Sequence, residues 1–356
     1  MRRITLILVA TLTALILADI AVALGLGWID ARFGPGHALV RYFEYGRSAP
    51  GKIERWTRRR DDPANLFDVA WTDDTVAYSA EAFASESQAS PPTVRVYGMS
   101  FSDNIVAAAR RLDDRFRADT HGGPGAPPNW VYAMFEADAA NRRPGDWVVM
   151  AVLGSAVVRS ASLSNRTGVF EQPAPATYPS FRVEGDGLRR VDPLVASAAE
   201  ERALASDPAR AAAWARQLRE VDPLWTAEAF AAPWLDNSPF LRLVRRSMAT
   251  TAVNRAKADY LVTGEPVEAT RRLLARFVAE ARAEGLRPFV LLIQNQRAGH
   301  DLLAEYGPGL AAMGAPFLAT AEIVDPADLS QFASDGHFTA AADQRFAERF
   351  LEMLAD

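Results

Sequence analysis

The stretch that decides the fold is PVEATRRLLARFVAEARAEGLRPFVLLI, residues 266–293. Pro266 to Glu284 predicts an amphipathic helix, because proline opens it and an apolar stripe recurs at helical spacing, formed by Leu273, Leu274, Phe277 and Ala281. Gly285 ends the helix, and Pro288 to Ile293 (PFVLLI) has the continuous apolarity of a strand covered on both faces. A helix leading directly into such a strand predicts an α/β protein.

Other segments repeat this alternation. Candidate strands are Thr93 to Tyr97, Trp147 to Leu153 (WVVMAVL) and Ala315 to Ala319, and candidate helices are Asp103 to Asp114 and Ala340 to Leu354. Strands that alternate with helices predict a three-layer sandwich around a mostly parallel central sheet. Active sites in such sheets lie at the carboxyl ends of the strands.

The chain divides into several predicted parts. Residues 30–92 predict a connector, whose Ser/Ala/Pro-rich end at Asp73 to Pro92 marks a boundary, and residues 93–356 form the α/β domain. An insertion at about 155–264 is too long for a plain loop, so we expect it to cover the sheet edge or to form a lid. It contains a predicted hairpin at Phe181 to Val191 and helices from Pro208 and from Ser238.

The N-terminus predicts export. Arg2 and Arg3 precede a run that is apolar from Ile4 to Ile29 apart from threonines and Asp19. The pattern fits a signal anchor or a signal peptide cleaved after Ala21-Val22-Ala23, and a buried soluble helix is a third interpretation. The run can span a bilayer, which needs about 20 residues. We therefore expect a bacterial inner-membrane protein with its main domain facing the periplasm, or an exported one if the segment is cleaved.

Composition excludes several classes. A net charge of -5 argues against a nucleic-acid binder. In the basic run Arg55 to Asp62 (RWTRRRDD), Asp61 and Asp62 directly follow the arginines, which predicts a solvated face. Cysteine is absent, which excludes disulfides, thiol nucleophiles and thiolate metal sites. No phosphate loop, dinucleotide fingerprint or histidine pair at metal-ligand spacing occurs, so neither a cofactor nor a metal is predicted.

Two stretches could carry chemistry. VRVYGMSFSDN (Val94 to Asn104) offers Ser100 and Ser102 at the end of a strand, and SDGHFTAAADQRF (Ser334 to Phe346) places Asp335 two residues before His337. A carboxylate beside a histidine can fix its tautomer and stabilise its cation, as a general base requires. A loop aspartate that caps a turn beside an incidental histidine is the alternative. The other histidines are predicted on the surface (His37), in a Gly/Pro loop (His121), and either beside the site or on a surface helix (His300).

Together these stretches resemble the SGNH, or GDSL, hydrolases over roughly residues 93–356. The family's first block is strand, Gly-Asp-Ser, helix, and the chain has Tyr97-Gly98-Met99-Ser100-Phe101, with Met99 in the usual Asp place. Its last block is commonly Asp-x-x-His, whereas this chain has the shorter Asp335-Gly336-His337. The shorter spacing is similar to that of the alginate O-acetyltransferase relatives, which are exported and act on envelope polysaccharide.

The family's middle blocks match less completely. Its second block supplies an oxyanion-hole glycine, for which Gly125 in DTHGGPGAPP is the candidate. Its third block falls at Gly154-Ser155-Ala156-Val157, where the glycine is present but Ala156 replaces the asparagine. A lost oxyanion donor costs about 10²–10³ in rate. Either the N–H groups of Ser100 and Gly125 suffice, or the protein no longer catalyses, or another amide serves, the candidates being Asn104, Asn129, Gln294 and Asn295.

The resemblance implies a membrane-anchored, outward-facing serine esterase or O-acyltransferase. Ser100 would attack an ester carbonyl, His337 would take its proton and Asp335 would orient His337, while N–H groups at Ser100, Gly125 and Gly154 received the oxyanion. The substrate would be an acyl ester, such as an acetyl ester, of envelope or extracellular carbohydrate. Ser102 would instead cap the helix expected from Asp103. The rival is a catalytically silent module that binds polysaccharide or an envelope assembly partner.

Overall fold

The structure is a computed structural model that describes residues 2–34, 36–58, 67, 71, 93–171, 173–296 and 300–355. The predicted boundary at Asp73 to Pro92 and the acidic residues Asp61 and Asp62 lie outside the described residues. In the described part the strands are β1 (Val94–Gly98), β2 (Ala118–Gly122), β3 (Trp147–Leu153), β4 (Ser180–Glu184), β5 (Gly187–Val191), β6 (Arg287–Ile293) and β7 (Phe317–Ala319).

In the described residues, three helices precede the first strand along the chain, and most of the others lie in the sequence between one strand and the next. In chain order, the α-helices of the described ranges are α1 (Arg2–Phe33), α2 (Ala38–Tyr45), α3 (Ala49–Arg58), α4 (Ser100–Leu112), α5 (Pro128–Ala137), α6 (Asn165–Gly168), α7 (Ala198–Ala203), α8 (Pro208–Val221), α9 (Ala227–Phe230), α10 (Pro239–Val262), α11 (Glu265–Ala283), α12 (Leu302–Ala312) and α13 (Ala340–Ala355).

The central sheet has five strands in the order β2-β1-β3-β6-β7, and every neighbouring pair is parallel. This confirms the predicted α/β class with a parallel central sheet. Every residue of β1 and β3 is buried, as is every residue of β6 except Arg287. Burial on both faces explains why the sequences of β3 and β6 are continuously apolar rather than alternating.

Two pairs of helices pack against this sheet. Helices α4 and α13 contact each other, and α13 reaches β6 through Phe350, whose ring lies 5.3 Å from that of Phe289. Helices α5 and α11 also contact each other, through Phe135 and Phe277 with ring centroids 4.9 Å apart. These aromatic contacts belong to one continuous core that contains most of the sheet.

Strand β2 is the main departure from the predicted elements. The stretch DTHGGPGAPP (Asp119 to Pro128) predicts a Gly/Pro loop, yet its first residues lie in β2, where Asp119 and His121 are buried. The parallel register sets Asp119 beside Arg95 of β1, whose Nη1 lies 3.0 Å from Asp119 Oδ2 and 3.2 Å from Asp138 Oδ2. A buried ionic cluster therefore replaces apolar side chains between β1 and β2.

Residues 155–264 carry the hairpin β4–β5 and the helices α6 to α10. The hairpin turns at Gly185 as predicted, and Gly185 has the positive φ of 52° that such a turn requires. This region has hydrophobic clusters of its own, one of them around Trp214 and Leu218 of α8.

Helix α1 is long and apolar enough to cross a membrane, with a mean hydropathy of 2.5 over its most apolar 18 residues and none of them buried. A signal sequence would share these properties. The sequence-based expectation of an apolar N-terminal helix of this kind is confirmed.

Candidate active site

The structure brings together two residues that are 237 positions apart. Ser100 is the first residue of α4, directly after β1, and His337 lies in the loop before α13. The Oγ of Ser100 is 2.7 Å from the Nε2 of His337. The contact lies at the carboxyl end of β1, the edge of a parallel sheet where catalytic groups usually gather.

Asp335 completes a chain of three side chains. Its Oδ2 lies 3.1 Å from the Nδ1 of His337, and its Oδ1 accepts a hydrogen bond of 3.1 Å from the backbone N–H of His337. A carboxylate facing Nδ1 favours a proton on that nitrogen, which leaves Nε2 free to accept the Ser100 hydroxyl proton. The three residues thus have the mutual geometry of a nucleophile, a base and an orienting carboxylate.

The loop that carries Asp335 and His337 is tightly held. The His337 carbonyl accepts a hydrogen bond of 2.8 Å from the Ala333 N–H, and Gly336 has a φ of +90°, which only glycine adopts readily. On the other side, the Phe101 ring packs 4.6 Å from the imidazole of His337. The shorter Asp-Gly-His spacing therefore depends on a glycine between the two functional residues.

Two carboxyl groups near His337 have opposite pKa shifts. Hydrogen bonds from the backbone N–H and the imidazole of His337 lower the pKa of Asp335, whose side chain is 66% exposed. Burial raises the pKa of Asp343, in the first turn of α13, to about 6, although the charge of His337 opposes that shift. Asp335 therefore stays ionised through the range in which Asp343 titrates, so Asp335 is the permanent negative charge beside the imidazole.

Ser102 has a structural role that differs from the predicted one. Helix α4 begins at Ser100 rather than Asp103, so the N-cap is Met99 and not Ser102. The buried Ser102 Oγ instead accepts a hydrogen bond of 2.9 Å from the Met99 N–H and donates one of 2.6 Å to the Met99 carbonyl. Met99 itself is fully buried, so an apolar contact replaces the Asp of the SGNH pattern.

Two backbone N–H groups remain available near the serine. Ser100 occupies the first helical position, where the N–H has no intrahelical acceptor, and its N–H has no hydrogen-bond partner among the described residues. The N–H of Gly125 likewise lacks a partner in the described part of the chain. Gly125 follows β2, whose neighbour in the sheet is β1, and the N–H of Gly123 bonds the Gly98 carbonyl at 3.2 Å. The loops carrying both donors are thus adjacent.

The orientation of Gly125 is set by buried side chains that sequence reasoning missed. Asn165 Nδ2 donates to the Pro124 carbonyl at 2.9 Å, and Arg159 donates to the Gly125 carbonyl. The C=O and N–H of a trans peptide point in opposite directions, so the Gly125 N–H points away from Asn165. Arg159 also donates to Asn165 Oδ1 at 2.7 Å. No spacing pattern in the sequence links residues 124, 125, 159 and 165.

At residues 154–157, the stretch compared above with the third SGNH block, no asparagine is present and Ser155 pairs with Asn295. Gly154 starts a 3-10 helix, Gly154–Arg159, directly after β3, and Ala156 within it is fully buried. The Ser155 N–H donates to Asn295 Oδ1 at 3.1 Å, and Asn295 Nδ2 donates to Ser155 Oγ at 3.0 Å. Among the described residues, the second amide hydrogen of Asn295 has no acceptor.

The other predicted amide donors differ in availability. Both amide hydrogens of Asn129 are used, on the carbonyls of Ser162 and Pro179 at 2.9 and 2.8 Å. Gln294 donates to the His300 carbonyl at 2.9 Å. Asn104, half-buried in α4, makes no side-chain hydrogen bond within the described ranges.

The remaining histidines do not join Ser100. His37 caps α2, where its Nδ1 accepts from the Leu39 N–H at 3.3 Å. His121 is not in a loop but fully buried in β2, 3.2 Å from Asp119 Oδ2. His300 is half-buried, and burial lowers its pKa. Within the described ranges, no group of three or more His, Asp or Glu side chains could hold a metal ion.

Comparison with known proteins gives no relative for this chain: it matches no protein-family model, no curated protein and no solved structure.

Proposed function

We propose that the protein is an SGNH-type serine esterase or O-acyltransferase acting on acyl esters of envelope or extracellular carbohydrate. The observation that carries the proposal is the continuous chain from Ser100 Oγ to His337 Nε2, at 2.7 Å, and from His337 Nδ1 to Asp335 Oδ2, at 3.1 Å. Packing of an apolar core does not require these polar contacts. Ser100 also lies near the start of the domain, whereas Asp335 and His337 lie near its end.

The proposed reaction proceeds in two acyl transfers. Ser100 Oγ attacks the ester carbonyl while His337 Nε2 takes the hydroxyl proton, and the N–H groups of Ser100 and Gly125 receive the developing oxyanion. The ester C–O bond then breaks, and the leaving alkoxide takes the proton back from His337. Water or a sugar hydroxyl next attacks the acyl-serine and loses its proton to His337. The bond between the acyl carbon and Ser100 Oγ then breaks, and Oγ takes that proton from His337, which regenerates both residues. Electrons and protons balance without an added cofactor.

The fold supports the family proposal. The sheet order places the loops after β1, β2 and β3 next to one another, and these loops carry Ser100, Gly125 and Gly154. With helix pairs α4–α13 and α5–α11 packed against the sheet, the arrangement fits the three-layer sandwich expected of an SGNH hydrolase. An extracytoplasmic site, with α1 as the anchor, would suit an envelope substrate.

The balance between hydrolysis and transfer depends on the groups that line the acceptor side of Ser100. The hydrogen bonds from Arg159 and Asn165 connect the insertion to the Gly125 loop. We therefore assign the insertion the role of shaping the acceptor site, with a sugar hydroxyl favoured when it excludes water from the acyl-serine.

An esterase assay tests the proposal. The full chain in detergent should hydrolyse p-nitrophenyl acetate, and Ser100→Ala should reduce kcat by about 10³-fold or more, because the nucleophile is lost. Ser247→Ala, a change at an exposed residue of α10, is the matched control and should leave the rate unchanged.

The rival function is a silent binding module, and the buried apolar side chains of Met99 and Ala156 favour it. Equal rates for the wild type and Ser100→Ala, or no rate with either, would support the silent module and contradict the enzyme.

A further inference from the structure

Helix α1 has two halves with different surroundings. Residues 2–17 are exposed along the whole circumference of the helix. From residue 18 onward one face becomes partly buried at helical spacing, with a stripe formed by Ala18, Asp19, Val22, Leu26 and Ile29. This half packs against α10 and α2. The change occurs at Asp19, the only acidic residue before Asp30.

Asp19 accepts hydrogen bonds from the N-terminus of α10. Ser238 is the N-cap of that helix and accepts the Leu241 N–H at 3.1 Å, while Pro239 at the first position has no N–H. The remaining N–H, that of Phe240, donates to Asp19 Oδ1 at 2.9 Å. Ser238 Oγ also donates to Asp19 Oδ1, at 2.7 Å. Asp19 thus accepts the one first-turn donor that the cap of α10 leaves free, and its negative charge is favourable at that end of the helix.

The length of α1 indicates where the contact between Asp19 and α10 lies relative to a bilayer. A helix of 32 residues is about 48 Å long, whereas a hydrocarbon core is about 30 Å thick. Arg2 to Ala18 measures about 26 Å, near the lower limit for a span, and the arginine side chains can extend to the far interface. Carboxylates are costly within hydrocarbon but not at its edge.

We propose that the membrane-spanning part of α1 ends at Asp19, and that Asp19 clamps α10, and with it the globular region, to the lipid surface. The second half of α1 is then an extramembrane segment packed on α10. The clamp requires that α1 be retained in the mature protein and not cleaved after Ala23. The partner of residues 2–18 is the lipid bilayer, and the proposal does not depend on the chemistry at Ser100.

Cysteine labelling tests the position of the boundary, because the chain has no cysteine of its own. The full chain is placed in phosphatidylcholine–phosphatidylglycerol nanodiscs, which leave both faces open, and is labelled with a charged maleimide. Ala14→Cys lies in the proposed span, whereas a side chain at Gly25 meets nothing within 4 Å. Ser247→Cys, exposed on α10, gives the reference rate.

Gly25→Cys should react at the reference rate and Ala14→Cys at least about tenfold more slowly, because hydrocarbon excludes the charged reagent. Equal protection at positions 14 and 25 would overturn the proposal, since the span would then continue past Asp19. Full labelling at position 14 would also overturn it, since the helix would then lie outside the bilayer.

A second pair of variants tests the clamp. Asp19→Leu should speed hydrogen exchange of the Phe240 amide by about tenfold or more, because that amide loses its acceptor. Asp30→Leu removes the same charge from an exposed position of α1 and should leave the exchange rate unchanged. Unchanged exchange in Asp19→Leu would contradict the clamp even if the labelling pattern were as expected.

Discussion

The exposure of Asp335 leads to a quantitative prediction for its removal. A buried aspartate in a Ser-His-Asp triad contributes roughly 10⁴ in kcat. The side chain of Asp335 is 66% exposed, so water screens its charge and can replace it as the acceptor for the His337 Nδ1 proton. We expect Asp335→Asn to lower kcat for p-nitrophenyl acetate by only about 10–10²-fold.

Asparagine is the suitable replacement because its Oδ1 can still accept the His337 N–H, which Asp335 Oδ1 accepts at 3.1 Å. The loop should therefore keep its conformation while the charge is lost. Asp328→Asn removes another exposed carboxylate before α13, one that bonds Ser330 and Gln331 and not His337, and is the matched control. Both variants are assayed for kcat at low and at 1 M salt, with thermal unfolding to verify the fold.

Added salt should lower kcat of the wild type and change kcat of Asp335→Asn much less. The screening length falls to about 3 Å at 1 M salt, similar to the distance of 3.1 Å between Asp335 and His337, so the wild-type rate should move toward that of Asp335→Asn. A loss of 10⁴-fold or more would refute the reasoning, because the carboxylate would then act in a water-free environment. A loss below about threefold would equally refute it, because Asp335 would then not orient His337.

Two further predictions concern the Gly125 loop and a buried lysine. Arg159→Leu should lower kcat by about 10–10²-fold through a misaligned Gly125 N–H, and it should also lower Tm, because the Gly125 carbonyl loses its donor. Arg276→Leu on the surface of α11 is the control. Lys52 is 2% exposed, and burial lowers its pKa to about 7. Because the unfolded chain binds the extra proton between that value and 10.5, wild-type stability should rise with pH across this window. The free energy of unfolding of Lys52→Met minus that of the wild type should therefore fall by about 2 kcal/mol from pH 7 to 9 in denaturant titrations, and a constant difference would contradict the lowered pKa of Lys52.

Apolar patterning predicted most of the sheet and failed where polar side chains are buried. Strands β3 and β6 have uniformly apolar sequences because both of their faces are covered, and their bounds were predicted to within one residue. Strand β2 was not predicted because the polar residues Asp119 and His121 fill its buried positions, and the ion pair of Asp119 with Arg95 depends on the pairing of the two strands. The start of α4 was placed three residues late, since Met99 is a poor N-cap by composition and Ser102 closes the turn from within it.

In the candidate site, too, some residues could be predicted from the sequence and others could not. Asp335 and His337 are close in sequence, and the strand-Gly-x-Ser pattern selected Ser100, so these three could be chosen before the fold was known. Arg159 and Asn165 could not be predicted, because they contact the Gly125 loop only in the tertiary structure and belong to no sequence motif with it. The role of Asp19 at the N-terminus of α10 was likewise invisible, since its partner Ser238 is 219 residues away.

Covalent labelling tests the central claim that His337 activates Ser100. A fluorophosphonate probe forms a phosphonyl-serine with displacement of fluoride, and peptide mapping then distinguishes Ser100 from Ser102. We predict a single modified serine, Ser100, with labelling at least about 10²-fold slower in His337→Ala, because the base that takes the hydroxyl proton is missing. Labelling of Ser102, absence of labelling in the folded wild type, or equal rates in the wild type and His337→Ala would contradict the claim.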